Sequence, residues 1–245
     1  MKTRRTLTCG LAIIVFALIF AGCKKADEPN NGGNGNGGNN DVVEDTIPYV
    51  DLGLPSGTLW ATYNVGATTP EGRGWYFAWG ETTTKTVYKW ETYKYGRKLN
   101  DWYYLTKYCS LSGDGYDGFT DNLTVLEPGD DAATTNWSSV WHTPTVEEWG
   151  ELLENTTNIW TQLNNVNGRR FTASNGNSIF LPAVGSLIDD LEPQYDGYHG
   201  NYWSSSLITG NPRSAHGFII GSASSYLDIN GRVRGYSVRP VCSTR

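Results

Sequence analysis

Positive charge is scarce here: 19 Lys and Arg stand against 25 Asp and Glu, a formal net charge of -6 over 245 residues. A protein that holds nucleic acid by neutralising phosphates needs the opposite balance, so that class is excluded. Charged residues of both signs make up only 18% of the chain, too few for a disordered acidic segment or a coiled coil. Methionine occurs once and long helix-forming stretches are few, which argues against a helical bundle. The apolar run at residues 11–20 falls well short of the roughly 18 residues that a spanning helix needs. What the chain does have is 10 Trp, 15 Tyr and 29 Gly. Those proportions predict strands and packed loops around an aromatic core.

The first residues read as an export signal. Lys2, Arg4 and Arg5 precede the apolar run, and Ala21 and Gly22 supply small residues at the cleavage point. The Phe-Ala-Gly-Cys ending at residues 20–23 resembles the bacterial lipobox, which implies diacylation of Cys23 and a mature chain that starts there. Several acyl chains at one residue hold a protein stably on a membrane without spanning it, because each buried CH2 contributes about 0.8 kcal/mol. Loss of the three signal cations takes the net charge from -6 to -9, so an anionic lipid surface adds no attraction. Residues 30–40 are only Asn and Gly, a flexible tether reaching roughly 15 to 20 Å. Asp27 and Glu28 resemble the surface-export signals of Bacteroidetes lipoproteins, which implies the outer face of an outer membrane. The expected organisation is a signal peptide at 1–22, a lipidated tether at 23–46 and one domain at 47–245.

Within that domain the clearest helix is predicted at 145–155. Thr145 and Glu148 form a capping box, and Val146, Trp149, Leu152 and Leu153 share a face. A second helix is expected over 101–109. Asn175-Gly176 predicts a hairpin joining 169–173 to 178–181, and Asn230-Gly231 predicts another joining 224–229 to 232–238. Further strands are expected at 49–52, 59–65, 75–79 and 214–220. The class is therefore α+β, with short strands, hairpins, one or two helices and long loops.

Catalytic patterns are sparse. His142, His199 and His216 lack the spacing that puts two ligands on one helix face. His142 reads as a packed histidine and His216 as a surface one. The run Ser204 to Ser206 sits in no Gly-x-Ser-x-Gly turn. Paired carboxylates, Asp130-Asp131 and Asp189-Asp190, are loop composition first and glycosidase chemistry second. Only Cys109 and Cys242 fall in the domain; a disulfide between them is one reading and two separate thiols the other. Asp114, Asp117, Asp121, Asp130 and Asp131 crowd hard oxygen donors onto a glycine-containing loop, so calcium is a candidate cofactor there. A solvated acidic loop explains the same residues, and no EF-hand spacing is present.

Several segments occur in one order: DLGLPSGTLWATYNVGA at 51–67, YFAWGET at 76–82, LTKYC at 105–109 and WHTPTVEEWGELL at 141–153. NGNSIFLPAVG at 175–185, YWSSS at 202–206 and GYSVRPV at 235–241 follow. Together they resemble the Fibrobacter succinogenes major paralogous domain family, common in Bacteroidetes lipoproteins. The TPTVEEW and SVRPV segments are also similar to formylglycine-generating sulfatase-modifying enzymes. The resemblance implies a C-type-lectin-like fold with close chain ends and a ligand-facing region between YWSSS and SVRPV, a region that related proteins diversify. The active-site cysteine pair of the sulfatase-modifying enzymes is missing here. The residues expected to meet a ligand are Tyr198, Tyr202, Arg213, His216, Tyr226, Asp228, Asn230 and Arg232, since Tyr with Asn and charged groups is the composition of adaptable binding surfaces. The expected function is non-enzymatic recognition of a glycan or protein at the cell surface, followed by an assembly subunit and a divergent sulfatase-modifying-type enzyme.

Overall fold

The computed structural model describes residues 47–189 and 192–243. The expectations for the signal peptide, Cys23, the tether and Asp190 lie outside the described residues. In chain order the elements are β1 (Tyr49–Asp51), β2 (Thr58–Ala61), β3 (Gly96–Leu99), β4 (Trp102–Leu105), α1 (Ala132–Asn136) and α2 (Val146–Asn155). Then come β5 (Thr156–Leu163), β6 (Val166–Ala173), β7 (Ser178–Pro182), β8 (Val184–Ser186), β9 (Gln194–Asp196), β10 (His199–Leu207), β11 (Ser214–Gly221), β12 (Ser225–Gly231) and β13 (Val241–Ser243). The described chain is mostly β with two α-helices, in keeping with the α+β class.

The largest sheet has the order β12-β11-β10-β8-β9, antiparallel except where β10 runs parallel to β8. β1 and β13 flank β2, so the two ends of the described domain meet on one strand. β5, β6 and β7 form a meander, and β3 with β4 a separate hairpin. Strand β10 lies between two aromatic cores. Trp203 joins Trp79, Tyr108 and Tyr236 in one, while its neighbour Tyr202 joins Trp60, Trp149 and Phe218 in the other. Alternation along a strand sends successive side chains to opposite faces, which is how one segment closes both. Trp149 stacks on Phe218 with centroids 4.4 Å apart, and Trp203 stacks on Tyr236 at 4.3 Å.

Helix α2 forms as its sequence predicts. Thr145 is the N-cap, its hydroxyl accepting from Glu148 N while the Glu148 carboxylate accepts from Thr145 N at 2.8 Å. The 175–176 hairpin also forms, pairing β6 with β7. Three expectations differ. Residues 102–105 are a strand, not a helix, because Asn100 and Asp101 both take positive φ and turn the chain back, leaving the aromatic run Trp-Tyr-Tyr extended against β3. The 230–231 hairpin does not form. Asn230 lies inside β12, which pairs with β11 around residues 222–224, and Gly221 N donates to Ser224 O at 2.8 Å. Segment 232–238 instead threads between neighbours, bridging Phe77 through Tyr236 and Leu187 through Gly235. Its entry is drawn inward by Arg232, described below. Residues 75–79 form only the single Phe77–Tyr236 bridge and no strand.

Candidate ligand-recognition site

The register of the large sheet puts His199 opposite Gly221, Asn201 opposite Ile219, and Ile219 in turn opposite Tyr226; Gly217 faces Asp228 and Ala215 faces Asn230. Directly paired residues share a face, so His199, Ile219, Tyr226, Asp228 and Asn230 all lie on the side that carries Trp203. Over Trp203 that side is sealed by Tyr236; towards His199 and Tyr226 it opens to solvent. Tyr226 is 47% exposed, and Tyr195 of β9 and Tyr198 of the turn that follows it are 61% and 73% exposed. The Tyr195 and His199 rings lie 5.4 Å apart, tilted by 30°. The result is a ledge of displayed rings at one end of a sheet whose other parts are locked into both cores.

Polar groups continue the ledge. Asn230 Nδ2 donates to Asp228 Oδ2 at 2.9 Å, and Arg234 Nη1 donates to Asn230 Oδ1 at 3.0 Å. Behind them Tyr236 is buried, and that burial, against the opposing pull of Arg234, pushes its hydroxyl up to about 12. The turn that presents Tyr195 depends on Gly185 of β8. It has φ +66°, and a Cβ there would stand 2.3 Å from Gln194 O, so only glycine lets β9 approach. Arg73 and Asp196 form an ion pair at the same corner.

Two of the residues expected to meet a ligand are in the core instead. Tyr202 is fully buried and its hydroxyl donates to Pro182 O at 2.6 Å. Strand alternation, which turns Trp203 to one core, turns Tyr202 to the other. Arg232 is likewise fully buried. Its Nε donates to Tyr93 Oη at 2.8 Å, its Nη1 to the carbonyls of Tyr108 and Pro212 at 2.9 Å each, and its Nη2 to Lys107 O at 3.2 Å. Trp79 lies 4.7 Å and Tyr93 5.3 Å from the guanidinium. A buried cation is tolerated when hydrogen bonds and ring faces replace its water, and this Arg welds the 232–238 segment to the first core. Asn230 is also largely buried, its amide committed to Asp228 and Arg234.

His216 is partly exposed on the opposite face, paired with Ile229, and burial lowers its affinity for a proton. Arg213, just ahead of β11, is held differently. Its guanidinium sits 4.0 Å from the Trp90 ring centroid and 4.8 Å from that of Trp102, and Nη1 donates to Tyr103 O at 2.6 Å. Neither tryptophan stands out in the sequence as a ligand-facing group, since nothing there shows that a hairpin and a distant loop converge on Arg213.

The acidic loop does not gather into a cation site, and among the described residues no group of three or more His, Cys, Asp or Glu could hold a metal ion. Its carboxylates are committed separately. Asp121 accepts from the backbone N–H groups of Tyr108, Cys109 and Leu123. Asp130 takes Lys94, Lys107 and the Tyr108 hydroxyl. Burial would raise its pKa, but the Lys107 and Lys94 ammonium groups and the Tyr108 hydroxyl hold it far below the usual range. Asp131 caps α1 and accepts from Thr143 N and Oγ1. Asp117 is exposed on the surface, and Asp114 is partly exposed. Local capping and ion pairing thus divide what sequence proximity had grouped.

Cys109 is a buried free thiol, so the pairing with Cys242 is not made; its Sγ donates to Leu111 O, and burial pushes the thiol up, away from the thiolate that reacts. Clefts lie away from the ledge. One of about 390 Å³ runs past Glu81, Lys85, Thr92 and Lys94, where Lys85 is already bound to Glu81 and Thr92 O. No family model, curated protein or solved structure matches the chain.

Proposed function

We propose that the chain is a non-enzymatic recognition lipoprotein of C-type-lectin-like fold, lipid-anchored at the outer face of an outer membrane through Cys23. It binds a glycan or protein ligand through the ledge of Tyr195, Tyr198, His199 and Tyr226, with Asp228 and Arg234 beside it. The observation that carries this reading is the combination of displayed rings and a rigid backing. Aromatic side chains offer large contact area for little lost rotamer freedom, and a platform pre-organised by two cores loses little more on binding. The lipobox-like ending and the Asn/Gly tether fit a binding face that reorients above a membrane.

The test is a glycan-array and protein-panel screen of the full chain in mild detergent, alongside the double variant Y195A/Y226A. Saturable binding that the double variant loses, with thermal unfolding unchanged, supports the reading. A ligand that binds both proteins equally removes the ledge from it. A second reading, an assembly subunit of a surface appendage, is favoured by one feature: β12 is the outermost strand of its sheet, and its Leu227 and Ile229 are exposed on the face away from the ledge. Self-association of the full chain that a charge at Ile229 abolishes would select it.

A further inference from the structure

We infer that the Trp90–Arg213–Trp102 clamp is a binding subsite for a carboxylate-bearing saccharide, an acidic glycan of the uronic or sialic type. This rests on the recognition reading above and adds to it a second contact surface, at the Ser214 end of β11, away from the ledge at its Gly221 end. An arginine held over two ring faces keeps its charge but is restrained in orientation, so its free N–H groups are met edge-on. One edge is used, Nη1 donating to Tyr103 O. Among the described residues no hydrogen bond from Nε or Nη2 of Arg213 is formed, and no carboxylate makes an ion pair with it; Asp114 acts on it only through its field.

The clamp also has a surface for the rest of such a ligand. Trp102 is 53% exposed and, among the described residues, stacks against no other aromatic ring, so its indole offers apolar surface to the C–H face of a pyranose. A second guanidinium stands on the same hairpin. Leu99 pairs with Trp102 and Arg97 with Tyr104, which puts Arg97 and Trp102 on one face of β3–β4. Arg97 is stacked 4.1 Å from the Tyr116 ring centroid and, like Arg213, has no carboxylate partner among the described residues. Two stacked, unpaired guanidiniums beside an exposed indole in a chain of net charge -6 form a local cationic and aromatic spot. A planar, bidentate match to a carboxylate and a flat contact with a sugar ring are what that spot offers.

The experiment is calorimetric titration of the full chain with tri-galacturonate, its methyl ester, sialyllactose, lactose and a hexaglutamate peptide. Binding of tri-galacturonate or sialyllactose is expected, weakening as salt rises from about 50 to 500 mM and absent for the neutral counterparts. R213K keeps the charge and loses the stacked fork; W102A removes an exposed ring. Each should weaken acidic-sugar binding by about tenfold or more with the thermal unfolding temperature nearly unchanged. If R213K does not fold, W102A and R97Q carry the test. The inference is overturned if neither acidic sugar binds, if hexaglutamate or the neutral sugars bind equally well, or if the folded variants bind as the parent does. Neutral-glycan or protein binding lost only in Y195A/Y226A would sink this inference and leave the recognition reading standing.

Discussion

Tyr202 and Tyr226 belong to one sheet and face opposite environments. Tyr202 fills the second core against Trp149, with ring centroids 5.9 Å apart, and its hydroxyl satisfies Pro182 O. Tyr226 projects from the outermost strand. Removing a buried aromatic ring costs about 3–5 kcal/mol, so Tyr202→Ala should lower the midpoint of urea unfolding sharply. Tyr226→Ala should leave that midpoint almost unmoved and act on ligand binding alone. Equal destabilisation by the two would contradict the assigned faces. Both residues are tyrosines within polar stretches, and only the pairing of β10 with its neighbours decides which way each one points. Arg232 repeats the lesson. Its sequence context is that of a surface turn, and its buried place follows from Tyr93 and Tyr108, more than a hundred residues earlier.

At the scale of elements, local chemistry was legible wherever the determinants are neighbours in the chain. The α2 capping box needs only Thr145 and Glu148, and the β6–β7 hairpin needs only Asn175-Gly176 between two alternating runs. The failed 230–231 hairpin had the same kind of signal, but β11 was the better partner, since pairing with it sets Tyr226 and Leu227 against Ile219 and Phe218. A second link is invisible in sequence. His142, bridged through its backbone to Val241 of β13, places Nε2 at 3.0 and 3.1 Å from the two Glu148 oxygens of α2. Burial disfavours the imidazolium, yet Glu148 outweighs it and lifts His142 above its ordinary 6.5. Burial likewise opposes the Glu148 carboxylate, and His142 with Thr145 holds it below its ordinary 4.5. A raised base stabilises the fold fully below 6.5 and loses that contribution as pH climbs through its folded value. A depressed acid contributes above 4.5 and loses its share as pH falls through its folded value. The pair therefore supports the fold most between these limits. Thermal unfolding followed against pH should decline on the alkaline side of 6.5, and His142→Gln should flatten that decline. An identical profile in the variant would remove the pair as its cause.

For the whole molecule, Asp121, Asp130 and Asp131 of the acidic segment act as internal anchors. Lys107 holds both Glu127 and Asp130, Lys94 adds to Asp130, and Asp131 ties α1 to Thr143. Neither calcium nor a chelator should move the thermal unfolding temperature, and a calcium-induced rise of several degrees would mean that these carboxylates serve a cation after all. The sequence by itself determined the composition class, the aromatic core, the capped helix and the 175–176 hairpin. Each depends on amino-acid inventory or on residues a few positions apart, where short-range sterics and hydrogen bonding set the outcome. Only the tertiary structure decided which rings are displayed, which arginine is core and which is clamped, and how the acidic loop divides its partners. Those outcomes depend on which surfaces meet across long stretches of chain. Tryptophans 90 and 102 close on Arg213 from more than a hundred residues away, because a guanidinium leaving water is stabilised by whatever ring faces and carbonyls the completed fold brings to it.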